Sequence, residues 1–111
     1  TVRFPQHGFA WKILSGLFHQ KGRQAEALSA VRKVVELSPQ DADMHCNLGS
    51  LLKSMGRFGE AEVSYLEAVR IKPDFVGAHY NLGNCYYAQA RHVEAEACYR
   101  KALQIQPKDV D

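Results

Sequence analysis

Four prolines, Pro5, Pro39, Pro73 and Pro107, are the only prolines of this chain, and each stands 34 residues after the last. With one fixed, three others falling in phase by chance is roughly a one in 40,000 event, so the spacing marks an internal repeat. Cutting at that period gives units 8–41, 42–75 and 76–109, with 1–7 as the tail of a preceding unit and 110–111 as a truncated end. Units two and three keep the same residue at His45/His79, Asn47/Asn81, Leu48/Leu82, Gly49/Gly83, Arg57/Arg91, Glu60/Glu94, Ala61/Ala95, Glu62/Glu96, Tyr65/Tyr99, Ala68/Ala102, Ile71/Ile105 and Pro73/Pro107. Unit one is more divergent but holds Leu14, Gly22, Arg23, Glu26, Ala27 and Pro39 in phase.

Each unit reads as two short helices. In unit two Met44, Leu48, Leu51, Leu52 and Met55 recur at spacings of three and four, the helical period. Asp41 precedes this run as an N-cap and Gly56 follows it as a stop. Phe58, Ala61, Tyr65, Ala68, Val69 and Ile71 form a second stripe, which Pro73 ends because it has no N–H and clashes with the preceding turn. The pattern predicts helices over 8–21, 25–37, 42–55, 59–71, 76–89 and 93–105. Strand alternation is absent, so the fold class is all-α. Gly49, Gly83, Ala61, Ala68, Ala95 and Ala102 are small residues that let paired helices approach, with Leu48, Leu82, Tyr65 and Tyr99 filling the space beside them. A hairpin of this length cannot bury both faces alone, and stacked neighbours complete its core.

Composition narrows the function. Fourteen Lys/Arg and twelve Asp/Glu leave a net charge of +2, and no run exceeds two like charges. Nucleic acid and anionic membranes both call for concentrated positive charge, so neither is an expected partner. No apolar stretch nears the roughly 20 residues of a membrane span. Cys46, Cys85 and Cys98 are an odd number without a Cys-x-x-Cys pair. They read as reduced structural residues, which favours a reducing, cytoplasmic setting.

The repeat resembles the tetratricopeptide repeat. Unit one supplies Trp11, Leu14, Phe18, Gly22, Ala27 and Pro39. Unit two supplies Leu48, Gly49, Leu52, Gly56, Ala61, Tyr65, Ala68 and Pro73, and unit three Leu82, Gly83, Tyr86, Ala95, Tyr99, Ala102 and Pro107. The departures are Ser15 for a small Gly, Val34 for Ala, His45 and His79 where Trp is common, and Ala90 at the turn glycine. The resemblance implies a right-handed α-α superhelix of three helix-turn-helix units that works as a protein-interaction scaffold. A narrower resemblance, carried by residues 3–12 (Arg3 to Lys12) and by His-x-Asn-Leu-Gly in units two and three, is to the repeat region of bacterial O-linked N-acetylglucosamine transferase-like proteins. It implies the alternative of a substrate-selecting arm of a larger glycosyltransferase. A further alternative is a self-associating assembly element, since apolar residues such as Val93, Cys98, Leu103 and Ile105 spread over more than one face of the last helix.

In this family the first helix of each unit lines the concave surface. Repeat phase then assigns a peptide-binding groove to Lys12 and His19 of unit one, Asn47, Ser50 and Lys53 of unit two, and Tyr80, Asn81, Asn84 and Tyr87 of unit three. Cys46 falls on the same face by phase. The Asn amides offer donors and an acceptor to the backbone of an extended peptide, and the tyrosines add area of the kind found in binding hot spots. Some members clamp a C-terminal carboxylate with five side chains. Lys12 and Asn47 match that set, whereas Gly16, Gly77 and Asn81 do not, so most of its charge is missing.

No catalytic or cofactor motif is present: there is no Walker A, Gly-x-Gly-x-x-Gly, Gly-x-Ser-x-Gly or His-Glu-x-x-His sequence. The expectation is a non-enzyme without cofactor. His45 and His79 are too few for a structural zinc site, which takes four ligands. They are expected to pack against adjacent helices.

Overall fold

The computed structural model describes residues 23–106, which form five helices: α1 (Gln24–Leu37), α2 (Ala42–Ser54), α3 (Phe58–Ile71), α4 (Val76–Ala88) and α5 (His92–Ile105). The predicted helix over 8–21, the residues of the narrower resemblance, and Lys12 and His19 lie outside the described residues. Among those described, every element is helical, and consecutive helices pack in chain order as an all-α superhelix. No described helix is long and apolar enough to cross a membrane.

Local sequence sets the helix ends. Asp41 Oδ1 accepts the Met44 amide at 3.2 Å and caps α2. The Phe75 amide donates to Lys72 O across Pro73 at 3.0 Å, and the Asp41 amide donates to Ser38 O across Pro39 at 3.1 Å. In both turns proline occupies the second position, where its fixed φ fits. The N-cap residues of α1, α3 and α5 are Arg23, Arg57 and Arg91, whose carbonyls accept the amides of Ala27, Ala61 and Ala95 at 3.0 Å. Each arginine also pairs with the glutamate three residues on, Glu26, Glu60 or Glu94.

α2 and α4 each end one residue before the predicted boundary because Met55 and Gln89 are already cap residues. The chain then enters the left-handed region at Gly56 (φ 78°) and at Ala90 (φ 62°). The Arg57 amide reaches back to Leu52 O, and the Arg91 amide to Tyr86 O, both at 2.9 Å. This is the six-to-one bond of a Schellman turn. Ala90 therefore adopts a conformation that glycine takes without strain.

Two kinds of contact build the core. Within a pair, the tyrosine of the second helix lies on the glycine of the first. A Cβ on Gly49 would sit 2.8 Å from Tyr65 Cε1, and one on Gly83 would sit 2.7 Å from Tyr99 Cε1. The large and small residues are thus partners in one contact, rather than neighbours filling adjacent space. Tyr65 is fully buried, as are Ala61 and Ala68 beside it. Between pairs, Ala78, Leu82 and Cys85 of α4 join the same core as Leu51, Leu52 and Ala61. Cys85 Sγ donates to Phe58 O at 3.3 Å.

His45 and His79 do something more specific than pack. Their Nε2 atoms lie 2.8 Å from the carbonyls of Pro39 and Pro73. A carbonyl only accepts, so each ring carries its proton on Nε2 and ties the first helix of its pair to the preceding proline turn.

Candidate functional site

The first helices of successive pairs, α2 and α4, run side by side. Asn81 Nδ2 on α4 lies 3.9 Å from Cys46 Sγ on α2 and joins the two. Asn47 is exposed, and its Nδ2 lies 3.4 Å from Met44 Sδ. Thiol and thioether sulfur are weak acceptors. Both amides therefore retain the capacity to bond a stronger one.

Ser50 and Asn84 hold equivalent positions and both are half-buried. Ser50 Oγ bonds the Tyr65 hydroxyl at 2.9 Å, and the Tyr99 hydroxyl donates to Asn84 Oδ1 at 2.5 Å. These residues serve the helix pair as well as the surface. Lys53 is half-buried, while Tyr80 and Tyr87 are 53% and 61% exposed. Tyr80 packs against Tyr99 with ring centroids 5.7 Å apart, and Tyr87 meets the His92 ring edge-on at 5.1 Å. Cys46, on the groove face by phase, is buried at 8% exposure because α4 covers it.

Burial governs the titrating groups here. It pushes the Tyr65 hydroxyl up to about 12 and also raises Tyr99 and Tyr86. The thiols of Cys46, Cys85 and Cys98 are likewise raised by burial, and none is in a disulfide.

Repeat phase did not point to two features. Arg91 Nη1 pairs with Glu62 at 2.8 Å across the α3–α5 side, and its guanidinium lies 4.6 Å from the Tyr86 ring centre. Arg57 occupies the same phase as Arg91, but the position equivalent to Glu62 one repeat earlier is Leu28, so the period carried no signal for this pair. The second is an apolar cleft of about 490 Å³ lined by Val76, Gly77, Tyr80, Tyr99, Ala102, Leu103 and Gln106. The signal for it was available, since the same positions one repeat earlier include the buried Ala42, Cys46, Tyr65 and Ala68.

Paired helices stacked with a 34-residue period define a helical-repeat solenoid. The chain belongs to the tetratricopeptide repeat family: the family's "Tetratricopeptide repeat" description matches residues 76–109, and its "TPR repeat" description matches 17–56 and 49–90. Among solved structures, the chain is 27% identical to MamA, with a TM-score of 0.87 over 93% of this chain and 60% of that one. It therefore spans about 60% of the length of the MamA chain. YrrB, a TPR protein with an unusual peptide-binding site, is 24% identical with a TM-score of 0.88, over 93% of this chain and 53% of its own. The first TPR of Spaghetti (RPAP3), bound to the HSP90 peptide SRMEEVD, is 21% identical with a TM-score of 0.90, over 95% and 83%. These last two likenesses concern the fold. Comparison with curated proteins returns no match.

Proposed function

We propose that this chain is a protein-interaction scaffold whose concave face takes an extended peptide or partner segment. The observation that carries the reading is the row of under-used polar groups on α2 and α4. Asn47 and Asn81 spend their amide hydrogens on sulfur, and Tyr80 and Tyr87 stand largely exposed beside them. The same fold holds a bound HSP90 peptide in Spaghetti (RPAP3) and has a peptide-binding site in YrrB. An acidic C-terminus is not the expected ligand here, because Gly77 and Asn81 stand where a carboxylate clamp carries cations. The test is to select peptides by display on the full chain and measure their affinity for the Asn47→Ala/Asn81→Ala variant. Loss of about 1–3 kcal/mol is expected, the usual cost of lost hydrogen bonds at a desolvated site. Unaltered affinity with helix content intact would remove both residues from the site.

A second reading, self-association, is favoured by the apolar cleft between α4 and α5. Its lining includes Tyr80 and Leu103, about half exposed, at positions whose counterparts Cys46 and Val69 lie in or against the core. α4 covers Cys46, with Asn81 Nδ2 3.9 Å from its sulfur. A helix with the face of α4, supplied by a second copy, fits the same way.

A further inference from the structure

The chemistry of the ligand can be narrowed from α4 itself. Of the five described helices, α4 alone has no Asp, Glu, Lys or Arg: its sequence is VGAHYNLGNCYYA. Its single histidine, His79, is engaged with the Pro73 carbonyl. A charged segment lying along this helix would lose water and find no counter-charge on the helix itself, which disfavours it.

Tyr80, Asn84 and Tyr87 follow one another at i, i+4 and i+7 and so share one stripe of the helix. Seven residues of helix rise about 10.5 Å. A polyproline II segment has three residues per turn and brings the same face round every three residues, about 9.3 Å. The two spacings are close enough for prolines three apart to rest on the two tyrosine rings. Each ring is already braced, Tyr80 by Tyr99 and Tyr87 by His92, so neither platform must be ordered on binding. Between them Asn84 Oδ1 accepts the Tyr99 hydroxyl, which turns its Nδ2 hydrogens into donors for a ligand. Polyproline II has no internal hydrogen bonds, and its carbonyls look outward for such donors. The corresponding stripe of α2, Cys46, Ser50 and Lys53, has no aromatic ring.

We propose that α4 is a docking strip for an uncharged, proline-rich segment in polyproline II conformation, with prolines three residues apart over Tyr80 and Tyr87. This rests on the concave face being a peptide site and assigns its ligand class.

The test is a titration of the isotope-labelled 111-residue chain, at a concentration where it is monomeric, with three peptides. Two are end-blocked, PAAPAAPAA and the control PAAAPAAAP, and the third is the acidic SRMEEVD. Saturable shifts of α4 amides are expected with the first peptide, at about tenfold higher affinity than with the control. Tyr80→Ala and Tyr87→Ala should each weaken it by about tenfold, while the Phe variants should bind as the parent does. Equal affinity for the two proline spacings, or binding that survives both alanine changes, overturns the inference. So does silence toward the first peptide. A preference for SRMEEVD, or a display-selected ligand without proline that shifts α4, overturns the proline inference alone and leaves the peptide-site reading standing. Failure of display to yield any ligand removes both.

Discussion

Gly83 lies directly beneath the ring of Tyr99, so close that a single added methyl group would stand 2.7 Å from Cε1. The same arrangement recurs at Gly49 under Tyr65, at 2.8 Å. Because the ring is held by its hydroxyl to Asn84 or Ser50, it cannot swing aside without breaking that bond. Gly49→Ala and Gly83→Ala should each destabilise the fold by about 1–3 kcal/mol, the usual cost of overpacking. That outweighs the gain of less than about 1 kcal/mol that alanine brings to a helix interior. Urea denaturation of the two variants measures it; unchanged or raised midpoints would mean that the helices separate at no cost.

Ala90 has φ 62° where Gly56 has φ 78° in the equivalent turn. An L-residue pays about 1 kcal/mol for that region, so Ala90→Gly should stabilise the chain by about that amount and Gly56→Ala should cost as much. No atom lies within 4 Å of a Cβ built on Gly56, so this pair isolates backbone strain from packing. A lowered melting temperature for Ala90→Gly would contradict the assignment.

Tyr65 makes the fold sensitive to alkali. Its hydroxyl ionises at about 12 in the folded chain, against an ordinary value of 10, because burial penalises the anion. A raised pKa means that the stability it contributes is complete below pH 10 and is lost as pH rises toward 12, where only the unfolded chain ionises freely. The loss is on the order of 2–3 kcal/mol over that window. Tyr65→Phe should be less stable at pH 7 by about 1 kcal/mol, the value of the Ser50 bond, yet decline less steeply above pH 10. Parallel denaturation series at pH 7, 10 and 11.5 test both parts.

The cleft lined by Val76, Tyr80, Tyr99 and Leu103 predicts concentration-dependent association of the 111-residue chain. Its mass should exceed 12.5 kDa at high concentration and fall on dilution. Leu103→Lys should shift the equilibrium to monomer with little effect on helix content, since Leu103 is half exposed within the chain. A monomer at millimolar concentration, seen by sedimentation, would exclude this use of the cleft.

Most of the fold was legible before any coordinates. The prolines, the apolar spacing and Asp41 placed the described helices to within one residue at each end. The reason is that capping and chain termination are local: Asp41 needs only the Met44 amide, and Pro73 acts on its own turn. The candidate surface was less legible. Phase placed Asn47, Ser50, Lys53, Tyr80, Asn81, Asn84 and Tyr87 on first helices, but it could not say that Ser50 and Asn84 would be shared with tyrosine hydroxyls. Nor could it tell that His45 and His79 would hold the carbonyls of Pro39 and Pro73.

Cys46 and Tyr80 mark the boundary between the two kinds of information. They occupy one and the same repeat position, yet Cys46 is 8% exposed and Tyr80 is 53% exposed. Sequence by itself determined the period, the helix ends, the stop at Gly56 and the membership of a helical-repeat family, because these are written in the order of residues along the chain. Only tertiary structure decided which of two equivalent positions is covered, that tyrosine would lie on glycine, and that Glu62 would meet Arg91. Those outcomes depend on helices distant in sequence approaching one another, and a repeat makes its units alike in sequence while stacking gives each a different neighbour.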